Sequence, residues 1–291
     1  LLIPGGKKMD EFKRKLIQLV HSRKASWKEI YSILKYEASG NRGEETENAF
    51  NNPAYTQQLH RDLQLISVDR LLYHYSSQNI HLITIFDDEY PEKLKNIYQP
   101  PWILFAKGNL SMLKITDSLA VVGSRNATDY GYKSIDFLFP SLIKRNIVIV
   151  SGLAKGIDAH AHKTAIKLGG KTIGVIAGGF QHLYPKENSK LAEYMMETQL
   201  VLSEYPPATR PEKWHFPMRN RIISGLSEGT LVVEARKRSG SLITADFALN
   251  EGRNVFAIPG SILTPDSDGV HYLIQQGAKL IKSAEDILEE F

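Results

Sequence analysis

The chain has 291 residues, enough for one large α/β domain beside a small one, and its 42% hydrophobic and 23% charged residues are ordinary for a globular protein. It contains no cysteine, which excludes disulfides, zinc–thiolate sites and iron–sulfur clusters and agrees with a reducing compartment. The net charge is only +4, so basic residues matter only where they cluster, and no apolar run approaches the ~20 residues of a membrane span.

Residues 1–8 (LLIPGGKK) lack a signal-peptide pattern and read as an appended remnant, with Met9 as the native start. Residues 9–79 read as a helical N-terminal module. Phe12, Leu16, Leu19 and Val20 recur at helical spacing, as do Trp27, Ile30, Ile33 and Leu34. A polar stretch, 39–52, with a loop at Gly40-Asn41-Arg42-Gly43, separates these from Leu59, Leu63, Ile66 and Leu71. A second domain, 80–291, opens with the strand pattern Ile80-His81-Leu82-Ile83-Thr84-Ile85-Phe86. Tyr90-Pro91 and Gln99-Pro100-Pro101 then punctuate the chain, and 102–105 could form another strand.

From Leu119 onward the alternation is regular. Apolar strands are expected at 119–122, 147–150, 172–176, 200–202, 231–233 and 255–258, with segments of helical length between them at 129–144, 157–168 and 242–250. Short, continuously apolar strands alternating with helices imply a mostly parallel sheet covered on both faces. Ligands in such sheets bind beyond the carboxyl ends of the strands. Those ends carry Gly123-Ser124-Arg125, Ser151-Gly152 with Lys155 and Gly156, Ala177-Gly178-Gly179, and Arg236-Lys237-Arg238-Ser239-Gly240-Ser241. One glycine-rich loop is weak evidence; several on one sheet edge argue for an anion site. Trp214-His215-Phe216-Pro217-Met218-Arg219-Asn220-Arg221 adds to it. Pro217 suits the first turn of a helix. Two arginines in that turn would oppose the helix dipole unless an anion is shared with the helix N–H groups.

Other motifs yield to plainer readings. Gly170-Lys171-Thr172 resembles the end of a P-loop, but position 165 is Ala and the triplet precedes its strand. Gly123-Ser124-Arg125-Asn126 lacks the later glycines of a dinucleotide fingerprint, and Ser151-Gly152 stands where a ribose-binding acid belongs. His160 and His162 point about 200° apart on a helix and cannot share a metal ion, while Asp158 suits a role near the helix start. If Trp214 and Phe216 share a face in extended chain and pack in the core, His215 is the exposed residue of the three. No Gly-x-Ser-x-Gly elbow is present, and no carboxylate pair stands out at the strand ends.

Val121-Val122-Gly123-Ser124-Arg125, Ser151-Gly152-Leu153-Ala154-Lys155-Gly156-Ile157-Asp158, Tyr184-Pro185-Lys186-Glu187-Asn188, Phe216-Pro217-Met218-Arg219-Asn220-Arg221-Ile222 and Arg238-Ser239-Gly240-Ser241-Leu242-Ile243-Thr244 together resemble the DprA/Smf DNA-processing family. So do Val255-Phe256-Ala257-Ile258-Pro259-Gly260 and Gly277-Ala278-Lys279-Leu280-Ile281; the likeness runs from about Leu82 to the C-terminus. It implies an extended Rossmann-like domain that binds and protects single-stranded DNA during natural transformation and loads RecA recombinase onto it. It further implies a small SAM-like or helix-hairpin-helix-like N-terminal module, a homodimer formed through the C-terminal part of the Rossmann-like domain, and a cytoplasmic protein without catalytic residues, metal or cofactor. The family's basic pocket maps onto Arg125, Lys186 and Lys213. By the strand-end argument Gly123, Ser124, Ser151, Gly152, Lys155, Arg219, Asn220, Arg221, Arg238, Ser239, Gly240 and Ser241 are its neighbours. Some members carry a C-terminal winged helix; after the last helical stretch, 284–291, none is expected here. The competing expectation is a nucleotide hydrolase of the LOG phosphoribohydrolase type. It would use the loop from Ser239 to Asp246, with Asp246 as the acidic residue, in a placement that departs from that enzyme pattern.

Overall fold

The computed structural model describes residues 7–22, 24–38 and 53–291. The loop placed at Gly40 to Gly43, and residues 1–6, lie outside them. The chain divides into two compact units, residues 1–87 with 102–104, and residues 88–101 with 105–291. The first strand, assigned by sequence to the second segment, therefore belongs to the first unit.

The first unit holds α1 (Lys7–Ser22), α2 (Trp27–Ala38), α3 (Pro53–Gln64), α4 (Val68–Ser77) and β1 (His81–Thr84). The expected helical periodicity is realised: Phe12, Leu16, Leu19, Ile30, Ile33, Leu34, Leu59 and Leu63 are all buried. α2 opens on a capping box. Ser26 N–H donates to Glu29 Oε2 (2.6 Å), and Glu29 N–H donates to Ser26 Oγ (3.3 Å). β1 runs beside the first residues of the next strand, with Ile85 N–H donating to Trp102 O at 3.0 Å.

The second unit contains α5 (Glu92–Lys95), β2 (Ile103–Gly108) from Phe105 onward, β3 (Ser118–Val122), α6 (Asp129–Lys144), β4 (Val148–Ser151), α7 (Ile157–Lys167), β5 (Thr172–Ile176), α8 (Ser189–Thr198) and β6 (Leu200–Ser203). It continues with α9 (His215–Gly225), β7 (Gly229–Val232), α10 (Gly240–Asn250), β8 (Asn254–Ala257), α11 (Asp268–Gln275), β9 (Lys279–Leu280) and α12 (Glu285–Leu288). The strand order is β2-β6-β5-β4-β3-β7-β8-β9, parallel throughout except where β2 runs antiparallel to β6. Every residue of β3 and of β5 is buried, as the continuous apolar runs require of strands covered on both faces. Leu119 and Val121 of β3, Ile149 of β4 and Leu231 of β7 pack with Ile135, Phe139 and Leu142 of α6 and Ile157 and Ala161 of α7 in one cluster.

The topology places the site. From β3 the chain builds outward through β4, β5 and β6, then returns to the other side of β3 as β7, β8 and β9. The order reverses between β3 and β7, whose registered pairs run from Leu119–Gly229 to Val122–Val232. A crevice beyond the carboxyl ends of these two strands is where such sheets hold ligands. Among the described residues no helix is long and apolar enough to cross a membrane.

Candidate nucleic-acid interface

A cavity of about 440 Å³ opens at that reversal. It is lined by Gly123, Ser124 and Arg125 after β3, by Asp158 of α7, by Phe216, Arg219 and Asn220 of α9, and by Arg236, Ser239, Gly240, Ser241 and Thr244 at and before α10. Eight of the sequence-predicted residues thus converge: Gly123, Ser124, Arg125, Arg219, Asn220, Ser239, Gly240 and Ser241.

The exposed Arg125 holds its guanidinium 5.7 Å from the Phe216 ring centroid, a cation–π arrangement. α10 begins at Gly240 with no side-chain cap at Ser239 and no acidic residue in its first turn, so its N–H groups are offered to a ligand. Ser239 Oγ and Ser241 Oγ are 2.8 Å apart, and Asn220 Nδ2 donates to Gly240 O at 3.1 Å, tying α9 to α10.

Arg219 is a structural cation rather than an open one. It is buried, and its Nη1 donates to Gly152 O and to Val175 O (2.8 Å) while Nε donates to Asn220 Oδ1 (3.0 Å). Burial lowers its pKa to about 10, against the opposing pull of Asp158, so it stays charged at neutral pH. Asp158 is buried beside it and accepts from Ala154 N–H at 3.4 Å. Burial raises the Asp158 pKa, and Arg219 works against that rise. The pair clamps the ends of β4 and β5 to α9. Gly152 is obligatory in this clamp, because a Cβ there would stand 1.9 Å from Arg219 Nη1.

Several expectations are corrected. α9 begins at His215, so Arg219 and Arg221 lie in its second turn, not its first. Two residues apart on a helix, they point about 200° from each other. Arg219 therefore reaches the cavity, whereas Arg221 is fully buried on the far side, paired with Glu204 and removed from any phosphate in solvent. The same helical phase buries His215 against the Tyr205 ring (4.0 Å) and leaves Trp214 58% exposed, the reverse of the extended-chain expectation. Ser151 is buried and donates to Val121 O (2.6 Å), and Gly152 is buried under Arg219, so neither is presented to solvent.

Lys155, Lys186, Lys213 and Arg238 are exposed and lie outside the cavity lining. Each lies in a connection that leaves the carboxyl end of a strand. Lys213 follows β6, Lys186 follows β5, Lys155 follows β4, Arg125 follows β3 and Arg238 follows β7, in the order of the strands across the sheet. Lys155 is paired with Glu187, and Arg236 with Asp266 at 2.6 Å. Asp246 is exposed and also outside the lining.

Two carboxylates hold roles that the sequence pattern does not show. Asp158 was assigned only a place near its helix start, yet it faces the cavity. Glu234, two residues after the end of β7, accepts from Thr128 N–H (2.9 Å) and from Thr128 Oγ1, and so anchors the start of α6. Its position at a strand end was the available signal. His160 contacts Asp136 (2.9 Å) and His162 contacts Thr172 Oγ1 (2.6 Å), so the two histidines face different partners. Among the described residues no group of three or more metal-ligating side chains converges.

Burial lowers the His162 pKa from 6.5 to about 3. The folded state thus binds its proton more weakly than the unfolded state does. The neutral ring's contribution is complete above pH 6.5 and is lost as pH falls from there toward about 3. Folding free energy should decline by up to about 1.4 kcal/mol per pH unit on this account. Urea unfolding at pH 6.5 and pH 5 should show that decline in the parent and a shallower one in His162→Gln; equal slopes would remove the assignment.

A family model described as DNA recombination-mediator protein A matches residues 81–291. The chain is 55% identical over 221 residues to the DNA processing protein DprA of Bacillus subtilis, covering 76% of this chain and 74% of that protein. It is 54% identical over 214 residues to DprA of Streptococcus pneumoniae, covering 74% and 75%. The X-ray structure of S. pneumoniae DprA superposes with a TM-score of 0.85 at 44% identity over 96% of this chain and 98% of that one. A structure of DNA processing protein A from Helicobacter pylori, described for its single-stranded DNA binding mode, superposes with a TM-score of 0.65 at 28% identity over 72% and 94%.

Proposed function

The chain belongs to the DNA recombination-mediator protein A family, and we propose on that premise that it binds single-stranded DNA without sequence preference, protects incoming strands and loads RecA recombinase onto them during natural transformation. It does so in the cytoplasm, as a homodimer and without catalysing a reaction. The observation that carries the reading is the basic edge: at least one exposed cation after each of β6, β5, β4, β3 and β7, beside the uncapped start of α10. Cations in the connections after five neighbouring strands suit a charged backbone better than a single phosphate. Exposed Trp214 and half-buried Phe216 add stacking surfaces for bases of any identity. Phosphate contacts position a strand but carry no sequence information.

The homodimer reading is supported by exposed apolar side chains in the C-terminal part of the second unit: Leu249, Ile262, Leu263, Tyr272 and Leu280. Joined sites would engage one strand together and raise avidity. The hydrolase alternative has no support from its acidic residue, since Asp246 stands outside the cavity.

The test is the salt dependence of affinity for oligothymidine. With ~4 phosphates neutralised per site, the log–log slope should be near −3. Homopolymers of different base should give the same slope within error. A flat response would mean that the edge does not hold the strand through its phosphates.

A further inference from the structure

The cations at the strand ends are not alike. Among the described residues Arg125, Lys186, Lys213 and Arg238 make no ion pair, whereas Lys155 and Arg236 each face a carboxylate. The two carboxylates differ. Asp266 has 18% of its side chain exposed and takes only Nε of Arg236, so both η nitrogens of that guanidinium stay open to a ligand. Glu187 is 61% exposed and takes the ammonium of Lys155, whose charge sits on one atom. A hydrogen bond from Lys155 holds the Glu187 carboxyl below its ordinary range, so it is ionised at neutral pH.

Lys155 and Glu187 come from the connections after β4 and β5, which are neighbours in the sheet. Their ion pair is not what joins these connections. Asn188, buried and next to Glu187 in the chain, donates from Nδ2 to Leu153 O (2.9 Å) and to Ala154 O (3.0 Å). Those two hydrogen bonds remain when the glutamate lets go. An exposed ion pair contributes little to stability, so this one opens at small cost to the fold. A phosphodiester offers the ammonium the same chemistry as the carboxylate, an anionic oxygen that accepts its N–H groups. Glu187 and a strand therefore compete for one cation.

We propose that Glu187 is an internal competitor for the strand: its carboxylate occupies Lys155 in the free protein, is displaced by a backbone phosphate on binding, and retakes the ammonium as the strand leaves. The proposal rests on the strand-binding reading and adds to it a residue that limits affinity and hastens release. A protein that passes a strand to another must let it go, and a carboxylate poised beside the cation achieves this without any change of fold.

The experiment compares the parent, Glu187→Gln, Lys155→Ala and the double variant, each as the full chain, with one oligothymidine. Equilibrium binding is read by anisotropy and dissociation by a chase with unlabelled strand. Glu187→Gln keeps the size of the side chain and removes its charge. It should bind about two- to fivefold tighter, the value of an exposed ion pair that no longer has to open, with the gain in slower dissociation. Its log–log salt slope should steepen by about 0.7, because Lys155 then neutralises a phosphate of its own. Its melting temperature should stay that of the parent, since Asn188 still joins the two connections. Lys155→Ala should cost more in the Glu187→Gln background than in the parent, and Glu187→Gln should bring no gain once Lys155→Ala is present. That coupling separates displacement of the glutamate from a general change in net charge, which would act alike in both backgrounds. An affinity of Glu187→Gln equal to or below that of the parent, or the same gain with and without Lys155, overturns the competitor while leaving strand binding standing. Failure of the parent and all three variants to bind overturns both.

Discussion

Arg219→Met should lower the stability of the chain by about 3–5 kcal/mol, the cost of leaving a buried ionic partner uncompensated. Four groups lose their Arg219 contact together: the carbonyls of Gly152 and Val175, the side-chain oxygen of Asn220 and the carboxylate of Asp158. Methionine matches the aliphatic stem but supplies none of those donors. For a unit of this size the melting temperature should fall by roughly 10 °C. The loss should depend on pH in a direction that identifies its cause. Asp158 already has a raised pKa in the folded chain, and Arg219 is what restrains the rise. Without that restraint the folded carboxyl binds its proton more tightly still than the unfolded one. The Asp158 contribution to the variant's stability should therefore be greatest at low pH and, relative to the parent at the same pH, decline as pH rises from the ordinary carboxylate range through the new folded value. Adding Asp158→Asn should recover part of the loss and flatten that decline. If the single and double variants melt alike at pH 5 and pH 7, the clamp is not an electrostatic pair.

The alternation from Leu119 onward was legible because each strand is short, apolar throughout and bounded by turn residues; β5 and α6 fall on their expected spans of 172–176 and 129–144. The edge was legible for the same reason, since glycines, serines and basic residues recur at successive strand ends. Helical phase was not. The run from Trp214 to Arg221 announces a cluster of cations and aromatics, but which members face the cavity depends on where α9 starts. Starting at His215 sends Arg219 inward to the carbonyls and Arg221 away to Glu204. Partnering was also hidden: Lys155 looks as open in the sequence as Lys213, yet only Lys155 meets a carboxylate, that of Glu187, 32 residues later. Asp158 was legible as a helix-start residue and illegible as a cavity wall, because its neighbours Arg219 and Thr244 come from helices far along the chain.

Arg125→Ala should weaken binding of every single strand alike, by about 10- to 100-fold, the value of one charge-assisted hydrogen bond of 1.5–3 kcal/mol. Unlike Arg219, Arg125 is exposed and carries no buried carbonyl, so the melting temperature should stay that of the parent. Its ring contact with Phe216 holds the guanidinium over the cavity mouth before any strand arrives, which limits the entropy lost on binding. The loss should appear with a shallower salt dependence, because one phosphate fewer is neutralised and the slope changes by about 0.7. Arg125→Lys separates charge from shape. Lysine restores the cation and hence the slope, but not the planar fork or the stacking on Phe216, so its affinity should fall between those of the parent and the alanine variant. Phe216→Leu in the parent background should lower affinity by less than Arg125→Ala does and leave the slope unchanged, since it removes a support and not a charge. A slope unaltered by Arg125→Ala would place this arginine outside the strand's path, and the sheet edge would then have to hold the strand through Lys155, Lys186, Lys213 and Arg238 alone.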